Sequence, residues 1–274
     1  MKKLCPHLFL FLVICPIITF AQDGTLDLSF DEDGRVSTDF FNEKDYGRAI
    51  VQLNNGKIVV AGTAEQNDAD YPSLAGYLEN GTLDMNFGVN GLIALDFTSS
   101  KQNYVALVVQ DDGKFIAGGN IGEPNNINFL LVRHLPDGSF DSSFGNNGVV
   151  ITDIKKDELA DLKLQPDGKI IAVGRSHIND CTELVLARYL SNGDLDLSFN
   201  GSGIVTICLS LNSGIWVNSL ELQSDGKILV SFTLSDKLNM FRFLEDGNLD
   251  LSFGIDGRVT TVSYTHLTLP TIQL

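Results

Sequence analysis

The chain has 274 residues, with 19 Lys and Arg against 35 Asp and Glu, so its formal net charge at pH 7 is −16. This acidic balance argues against a nucleic-acid-binding protein, because such proteins need a basic surface. Hydrophobic residues make up 43% of the sequence, which is enough for a packed core.

The first 21 residues have the pattern of a signal peptide. Lys2 and Lys3 precede an apolar run over residues 8–20, and Ala21 places a small residue before a cleavage site. The run is shorter than the roughly 20 residues of a membrane-spanning helix, and no later segment predicts a span. We therefore expect cleavage after residue 21 and a bacterial protein that is periplasmic, on the cell surface or secreted.

Two cysteines, Cys181 and Cys208, remain after this cleavage. Export permits a disulfide bond, but two cysteines in a chain of this length are not a disulfide framework. The sequence does not give their separation. Both a disulfide and two free thiols stay open, and free thiols are the favoured interpretation.

The residues from 22 to 262 contain a tandem repeat. The phrase Leu-Asp-x-Ser-Phe and its variants recur five times, with Phe30, Phe87, Phe144, Phe199 and Phe253 spaced by 57, 57, 55 and 54 residues. A second phrase, Gln-x-Asp-Gly-Lys and its variants, lies between successive copies. A third, typified by Ala-Arg-Tyr, precedes the next copy. Such a regular period is the signature of a repeat architecture.

Each period contains four segments with strand character, as the second period illustrates. Residues 92–97, 104–110, 114–118 and 128–134 are rich in β-branched and aromatic side chains. Asp112-Gly113 between two of them predicts a tight hairpin, because glycine adopts positive φ without steric cost.

Central strands such as residues 58–61 and 170–173 are apolar at every position, which indicates a sheet covered on both faces. Four antiparallel strands with two buried faces form a β-propeller blade. The predicted fold is therefore all-β: a β-propeller of four complete four-stranded antiparallel blades plus the first strand of a fifth, which indicates a truncated propeller. The expected blades are approximately 34–79, 91–136, 148–191 and 203–245, with the fifth starting at 257–262.

Two segments depart from the repeat. Residues 155–164 have a helix-forming composition, but the repeat register predicts a strand in their second half. Residues 263–274 match no repeat, so we exclude them from the predicted fold as a possible artefact; a genuine C-terminal cap or sorting segment is the alternative.

Together these phrases resemble the delta-60 repeat of exported bacterial proteins, a presumed β-propeller family. The resemblance covers residues 23–261 almost completely. It implies a repeat architecture and export, and it implies no defined reaction.

The recurrent acidic and basic residues are predicted to have structural roles rather than catalytic or metal-binding ones. Residues 29–34 match the opening of a calcium loop, but Phe40 stands where the bidentate acid is required. The turn aspartates are therefore expected to bond nearby backbone N–H groups, and the strand arginines are expected to make bidentate contacts with them. These residues are Asp27, Asp84, Asp141, Asp196, Asp250, Arg133, Arg188 and Arg242.

The sequence predicts no catalytic residue, metal ligand or cofactor. It contains no Ser-His-Asp ordering, zinc-ligand spacing or phosphate-binding glycine loop. The irregular loops all lie at the ends of the strands opposite the regular phrases, so we expect recognition there. Tyr46, Tyr71, Tyr104 and Trp216 are the aromatic candidates for contact with a ligand, and packing within the loops is the alternative for each.

Two functional hypotheses follow. The first is an exported scaffold without enzymatic activity that binds an unknown protein or carbohydrate. The second is a hydrolase or lyase for extracellular polysaccharide, which a close acidic pair with raised pKa values in a central groove would favour. A fragment whose activity lies in a missing partner domain is a further possibility.

Overall fold

The computed structural model describes residues 24–154, 158–178, 181–211 and 214–261, and within them all regular secondary structure is β-strand. The predicted signal peptide and the non-repeat tail at 263–274 lie outside the described residues. Within the described part of the chain, no helix has the length and apolar character needed to cross a membrane.

The strands form four antiparallel four-stranded sheets, each made of consecutive strands. Sheet 1 contains β1 (Asp45–Gln52), β2 (Ile58–Gln66), β3 (Ala69–Tyr77) and β4 (Leu92–Ala94). Sheet 2 contains β5 (Lys101–Val109), β6 (Phe115–Glu123), β7 (Asn126–His134) and β8 (Val149–Thr152). Sheet 3 contains β9 (Glu158–Leu164), β10 (Ile170–Ile178), β11 (Cys181–Tyr189) and β12 (Ile204–Leu211). Sheet 4 contains β13 (Ile215–Leu222), β14 (Ile228–Leu234), β15 (Lys237–Phe243) and β16 (Arg258–Thr260).

The predicted all-β architecture of four-stranded antiparallel blades is confirmed, but the strands group one position out of phase with the expected blade boundaries. The strand at residue 92, expected to open the second blade, pairs with β3 and completes the first. The strand in the segment 257–262, expected to open a fifth blade, pairs with β15. The blade to which a strand belongs is set by its antiparallel hydrogen bonding to a neighbouring strand, and repeat spacing alone does not reveal this pairing.

Apolar side chains fill the spaces between successive sheets. One cluster, which includes Leu74 and Phe115, lies between sheets 1 and 2. A second, with Phe129 and Leu162, joins sheets 2 and 3, and a third, with Leu186 and Phe232, joins sheets 3 and 4. Each inner sheet is therefore buried on both faces, which explains why its central strands are apolar throughout.

The helix-prone segment forms a strand in its described part, because β9 begins at Glu158 and pairs with β10 along its length. Leu159 and Leu162 of this strand are buried against sheet 2. Burial of these side chains outweighs the weak local preference for a helix.

The N-terminal copy of the repeated phrase docks on sheet 1 as the later copies dock on the sheets that follow them. Asp31 N donates to Asn80 O at 2.8 Å, and Gly145 N makes the matching bond to Asn192 O of sheet 3 at 2.8 Å. Residues 24–38 therefore occupy the position that the end of a preceding blade would take.

Cys181 and Cys208 form a disulfide between β11 and β12, with Cα atoms 5.9 Å apart. The favoured expectation of free thiols was wrong. The repeat register places the two residues on neighbouring strands, where this separation is within the usual range for a disulfide.

Candidate functional site

Because each sheet is an up-and-down array of consecutive strands, its connections alternate between two ends of the strands. One end carries the Asp-Gly-Lys turns and the Leu-Asp-x-Ser-Phe phrases, and we call it the turn face. The other end carries the β2–β3, β6–β7, β10–β11 and β14–β15 hairpins and the links between sheets, and we call it the variable face.

Each aspartate of the repeated phrase pins its own turn. Asp141 Oδ1 accepts hydrogen bonds from Ser143 N at 3.1 Å and from Ser143 Oγ at 2.7 Å, and Asp196 does the same with Ser198. Asp27 and Asp250 accept the same pair of bonds from Ser29 and Ser252, and Asp84 accepts a bond from Asn86 N.

Two of the strand arginines, Arg133 and Arg188, link these turns to the next sheet. Nε of Arg133, Arg188 and Arg242 lies 2.8 Å from a carboxylate oxygen of Asp141, Asp196 and Asp250, respectively. The expected bidentate geometry is not formed. Nη1 of Arg188 instead donates to Glu245 O of sheet 4 at 2.5 Å, and Nη2 to Ser198 Oγ at 3.1 Å. One guanidinium thus holds a turn and a neighbouring sheet together.

The first complete repeat lacks the arginine and has Gly76 in its place. A Cβ atom at this glycine would lie 2.4 Å from Cγ of Phe87, so the ring fills the space. Lys57 Nζ lies 2.5 Å from Asp84 Oδ2, as Lys114 Nζ lies 3.0 Å from Asp141 in the next sheet. The turn therefore keeps its lysine partner although it has lost the arginine.

The electrostatics of the turn face favour ionised carboxylates. Burial tends to raise the pKa of Asp141, but the hydrogen bonds from Ser143 and the charges of Lys114 and Arg133 outweigh it and hold the pKa well below its usual range. Within the described residues, no group of three or more His, Cys, Asp or Glu could hold a metal ion.

The variable face differs from the turn face, because positions that are equivalent from sheet to sheet carry side chains of different chemistry there. β1, β5, β9 and β13 are the inner strands, which contact one another from sheet to sheet. Each contains a bulge, with one residue left out of the pairing. These residues are Arg48, Val105, Ala160 and Asn218.

Two residues before each bulge stand four unlike side chains: Tyr46, Asn103, Glu158 and Trp216. Their partners on the neighbouring strands differ too: Thr63, Asn120, Arg175 and Thr233. Positions that the fold makes equivalent have therefore diverged here, whereas the Asp and Ser of the turns recur.

A cavity of ≈ 440 Å³ lies where the inner strands meet, and we call it the inner-strand cavity. Residues of all four inner strands line it, among them Arg48, Lys101, Glu158 and Trp216. Its volume falls within the range typical of small-molecule sites.

An ionic cluster forms one wall of this cavity. Glu158 Oε1 lies 3.0 Å from Lys101 Nζ of sheet 2, and Glu158 Oε2 accepts bonds from Arg175 Nε at 3.0 Å and Nη2 at 2.5 Å. Burial tends to raise the pKa of Glu158, but the bonds and charges of Arg175 and Lys101 outweigh it, so the pKa is lowered and the carboxylate stays ionised.

Arg175 is fixed from three sides. Besides its bonds to Glu158, Nη1 donates to Ile215 O of sheet 4 at 2.8 Å, and its guanidinium carbon lies 4.3 Å from the ring centroid of Trp216. Trp216 is nevertheless 64% exposed. The cluster therefore presents a preorganised arginine and an accessible indole at the same site.

The comparisons with known proteins agree with this architecture. The model of a family described as a domain of unknown function (DUF5122) beta-propeller matches four times, at residues 53–87, 110–144, 165–199 and 223–253. The chain is a β-propeller repeat protein. Each match begins just before an Asp-Gly-Lys or Asn-Gly-Lys turn, spans the two central strands of one blade and the hairpin between them, and ends at the phenylalanine of the repeated phrase.

Solved structures that resemble this propeller are distant. A mannose phosphorylase, MPT-4 from Leishmania mexicana, solved with a phosphate ion, has a TM-score of 0.36 and 14% identity over 76% of this chain and 71% of its own. Sqt1 from Chaetomium thermophilum has a TM-score of 0.36 and 12% identity over 76% of this chain and 61% of its own. The comparison with curated proteins finds no match for the propeller.

The four aromatic candidates lie in different places on the propeller. Tyr46 and Trp216 occupy the equivalent inner-strand positions and are exposed. Tyr71 packs edge to face on Phe41, with ring centroids 5.9 Å apart. Tyr104 is fully buried and stands 3.4 Å from His134 Nε2, so it offers no surface to a ligand.

Sequence reasoning missed the charged residues of the inner-strand cavity, namely Arg48, Lys101, Glu158 and Arg175. An alignment of the repeats could have identified Glu158, because the alignment shows four different residue types, Tyr, Asn, Glu and Trp, at one equivalent position. The partners Lys101 and Arg175 come from different strands and required the sheet pairing.

Proposed function

We propose that this chain is an exported β-propeller scaffold that binds a ligand at the inner-strand cavity on its variable face. The observation that carries the proposal is the divergence of Tyr46, Asn103, Glu158 and Trp216 on an otherwise repeated frame. Function in such proteins resides in variable positions held by rigid elements. The family whose model matches this chain is described as a domain of unknown function, so it assigns no activity.

Two further observations support export and the finer family assignment. The Cys181–Cys208 disulfide suits an oxidising compartment. The order of the three repeated phrases supports membership of the delta-60 repeat family. Expression with the native N-terminus in a bacterial host should give a mature chain that begins at Gln22, and retention of residues 1–21 would contradict export by cleavage.

The rival proposal, a polysaccharide hydrolase or lyase, receives less support from the cavity. Such chemistry requires a carboxylic acid that can donate a proton near neutral pH. Among the described residues that line the inner-strand cavity, Glu158 is the only acid, and its pKa is lowered by two cationic partners. This arrangement favours ligand recognition over proton transfer.

A glycan array probed with the full chain tests the binding function. We expect binding to at least one class of glycan, and its loss in Trp216→Ala. Leu197→Ala is the matched control, because Leu197 is 67% exposed and lies on the turn face. Absence of binding, or equal binding by Trp216→Ala, would remove the proposal. Release of shorter sugars from a bound glycan, followed by mass spectrometry, would favour the enzyme instead.

A further inference from the structure

The inner-strand cavity departs from the charge of the rest of the chain. The protein carries 35 acidic against 19 basic residues, yet the described residues that line the cavity include Arg48, Lys101 and Arg175 and a single acid, Glu158. Four inner strands of an acidic protein thus converge on a site with an excess of positive charge.

Arg48 supplies the cation that the protein itself leaves without an acidic partner. It is the bulged residue of β1, it is exposed, and no ion pair of the described residues includes it. Its guanidinium lies 5.8 Å from the ring of Tyr46, which orients it without neutralising it. An arginine in this state is available for two parallel hydrogen bonds to a carboxylate.

The remaining groups suit a sugar ring. Trp216 offers an exposed indole, and aromatic faces contact the apolar C–H surface of a pyranose. Asn120 Nδ2 donates to Asn103 Oδ1 at 2.9 Å. Among the described residues no hydrogen bond uses the Asn103 amide N–H groups, so they can donate to a ligand hydroxyl. The cavity volume of ≈ 440 Å³ accommodates one or two sugar units.

We propose that the inner-strand cavity binds the carboxylate of a uronic acid residue, with Arg48 as the principal ion partner, Trp216 as the stacking surface and Glu158 as a built-in counterion. This inference rests on the proposed binding function and names the chemical class of its ligand. The net charge of −16 on the whole chain repels long polyanions, so a single acidic sugar or a short oligosaccharide fits better than a highly charged polymer.

Titrations of the ¹⁵N-labelled full chain with D-galacturonate and D-glucuronate, followed by NMR, test the proposal against D-galactose, D-glucose and acetate. We expect the two uronates to bind at least about threefold more tightly than the neutral sugars and acetate, with an affinity that falls as salt rises.

Two variants that are expected to change uronate affinity in opposite directions make the test more specific. Arg48→Gln should weaken uronate binding by about threefold or more, because it removes the unpaired cation. Glu158→Gln should strengthen it by a similar factor, because it removes a negative charge that shares Lys101 and Arg175. Lys163→Gln and Glu221→Gln are the matched controls, since they break an ion pair of 3.2 Å elsewhere on the surface and should leave binding unchanged.

The outcomes separate this inference from the proposed function. Equal binding of uronates and neutral sugars, lost together in Trp216→Ala, would overturn the acidic ligand while keeping the binding site. Acetate binding as tight as that of the uronates would overturn the sugar. Weaker uronate binding in Glu158→Gln would overturn the role of Glu158 as a counterion. Binding of no probe in the titrations, together with no Trp216-dependent signal on the array, would overturn both proposals.

Discussion

Two carboxylates in this propeller have the same kinds of partner and different roles. Asp141 on the turn face lies 2.8 Å from Arg133 Nε and 3.0 Å from Lys114 Nζ. Glu158 on the variable face lies 3.0 Å from Arg175 Nε and 3.0 Å from Lys101 Nζ. The side chain of Asp141 is 9% exposed and that of Glu158 is 32% exposed.

The two carboxylates differ in whether their position is repeated from blade to blade. An Asp in the setting of Asp141 stands in every described blade, and its arginine or lysine comes from the same sheet, whereas Glu158 occurs once and draws Lys101 from a neighbouring sheet. Buried and repeated ion pairs serve the frame, while a half-exposed pair at a divergent position is available for recognition. The predictions below test whether stability and binding divide in this way.

The largest loss of stability is expected from Arg188→Ala. Asp196 would remain buried with only Lys169 Nζ at 3.9 Å as a cationic partner, and the bond to Glu245 O would be lost. We expect the free energy of unfolding in urea to fall by about 3–5 kcal/mol. Arg242→Ala is the internal control, because Arg242 makes the equivalent contact with Asp250 but its side chain is 22% exposed. It should cost about 1–2 kcal/mol, and equal losses would contradict the role of the link to the next sheet.

The disulfide is expected to make the next largest contribution. Its sequence separation of 27 residues corresponds to a stabilisation of about 3–4 kcal/mol in the chain-entropy model. The variant Cys181→Ser/Cys208→Ser should therefore unfold at a lower urea concentration, with the ligand affinity of the cavity unchanged. If reduction of the wild-type chain left the urea midpoint unaltered, the bond would carry no stability.

A buried histidine predicts a pH dependence of stability. Desolvation lowers the pKa of His134 from 6.5 to about 4, while its bond to Gly138 O opposes the shift. Because the unfolded chain takes up the proton first, stability is complete above pH 6.5 and falls as the pH drops toward 4, by about 3 kcal/mol.

The variant His134→Phe isolates this effect, since Phe243 occupies the equivalent position in sheet 4. Its unfolding free energy should vary less between pH 6.5 and 4 than that of the wild type, measured by urea titration at each pH. An unchanged slope in His134→Phe would assign the pH dependence to other groups.

The smallest effect on stability is expected at the inner-strand cavity. Trp216 is 64% exposed, so Trp216→Ala should change the unfolding free energy by less than about 1 kcal/mol. The same variant should abolish glycan binding. A loss of several kcal/mol in unfolding free energy would show that the indole stabilises the fold. Stability would then not be confined to the turn face.

The sequence predicts the frame of this molecule well. The spacing of the phenylalanines gives the number of sheets, and the Asp-Gly turns give their hairpins because glycine adopts the required positive φ without steric cost, such as +84° at Gly113. The predicted blade boundary was wrong by one strand, because β4 follows the long connection that contains the repeated phrase and its pairing with β3 depends on tertiary contacts.

The variable face was less predictable. Irregular loops were expected at this face, but β2 and β3 extend to a two-residue hairpin at Asn67-Asp68, where both φ angles are positive. The ion cluster of Lys101, Glu158 and Arg175 unites three strands from two sheets. Only the stacking of sheets brings such residues together, and no local pattern encodes that stacking.

Two variants, Asp141→Asn and Glu158→Gln, test most directly whether the turn face provides stability and the variable face provides recognition. Their unfolding free energies are measured side by side in urea at pH 7. Each variant removes one carboxylate charge from an Arg–Lys pair and keeps its shape. Asp141→Asn leaves Arg133 buried and unpaired and should cost about 3 kcal/mol or more, whereas Glu158→Gln should cost less than about 1 kcal/mol. Equal costs, or a greater cost for Glu158→Gln, would contradict the assignment of stability to the turn face and recognition to the variable face.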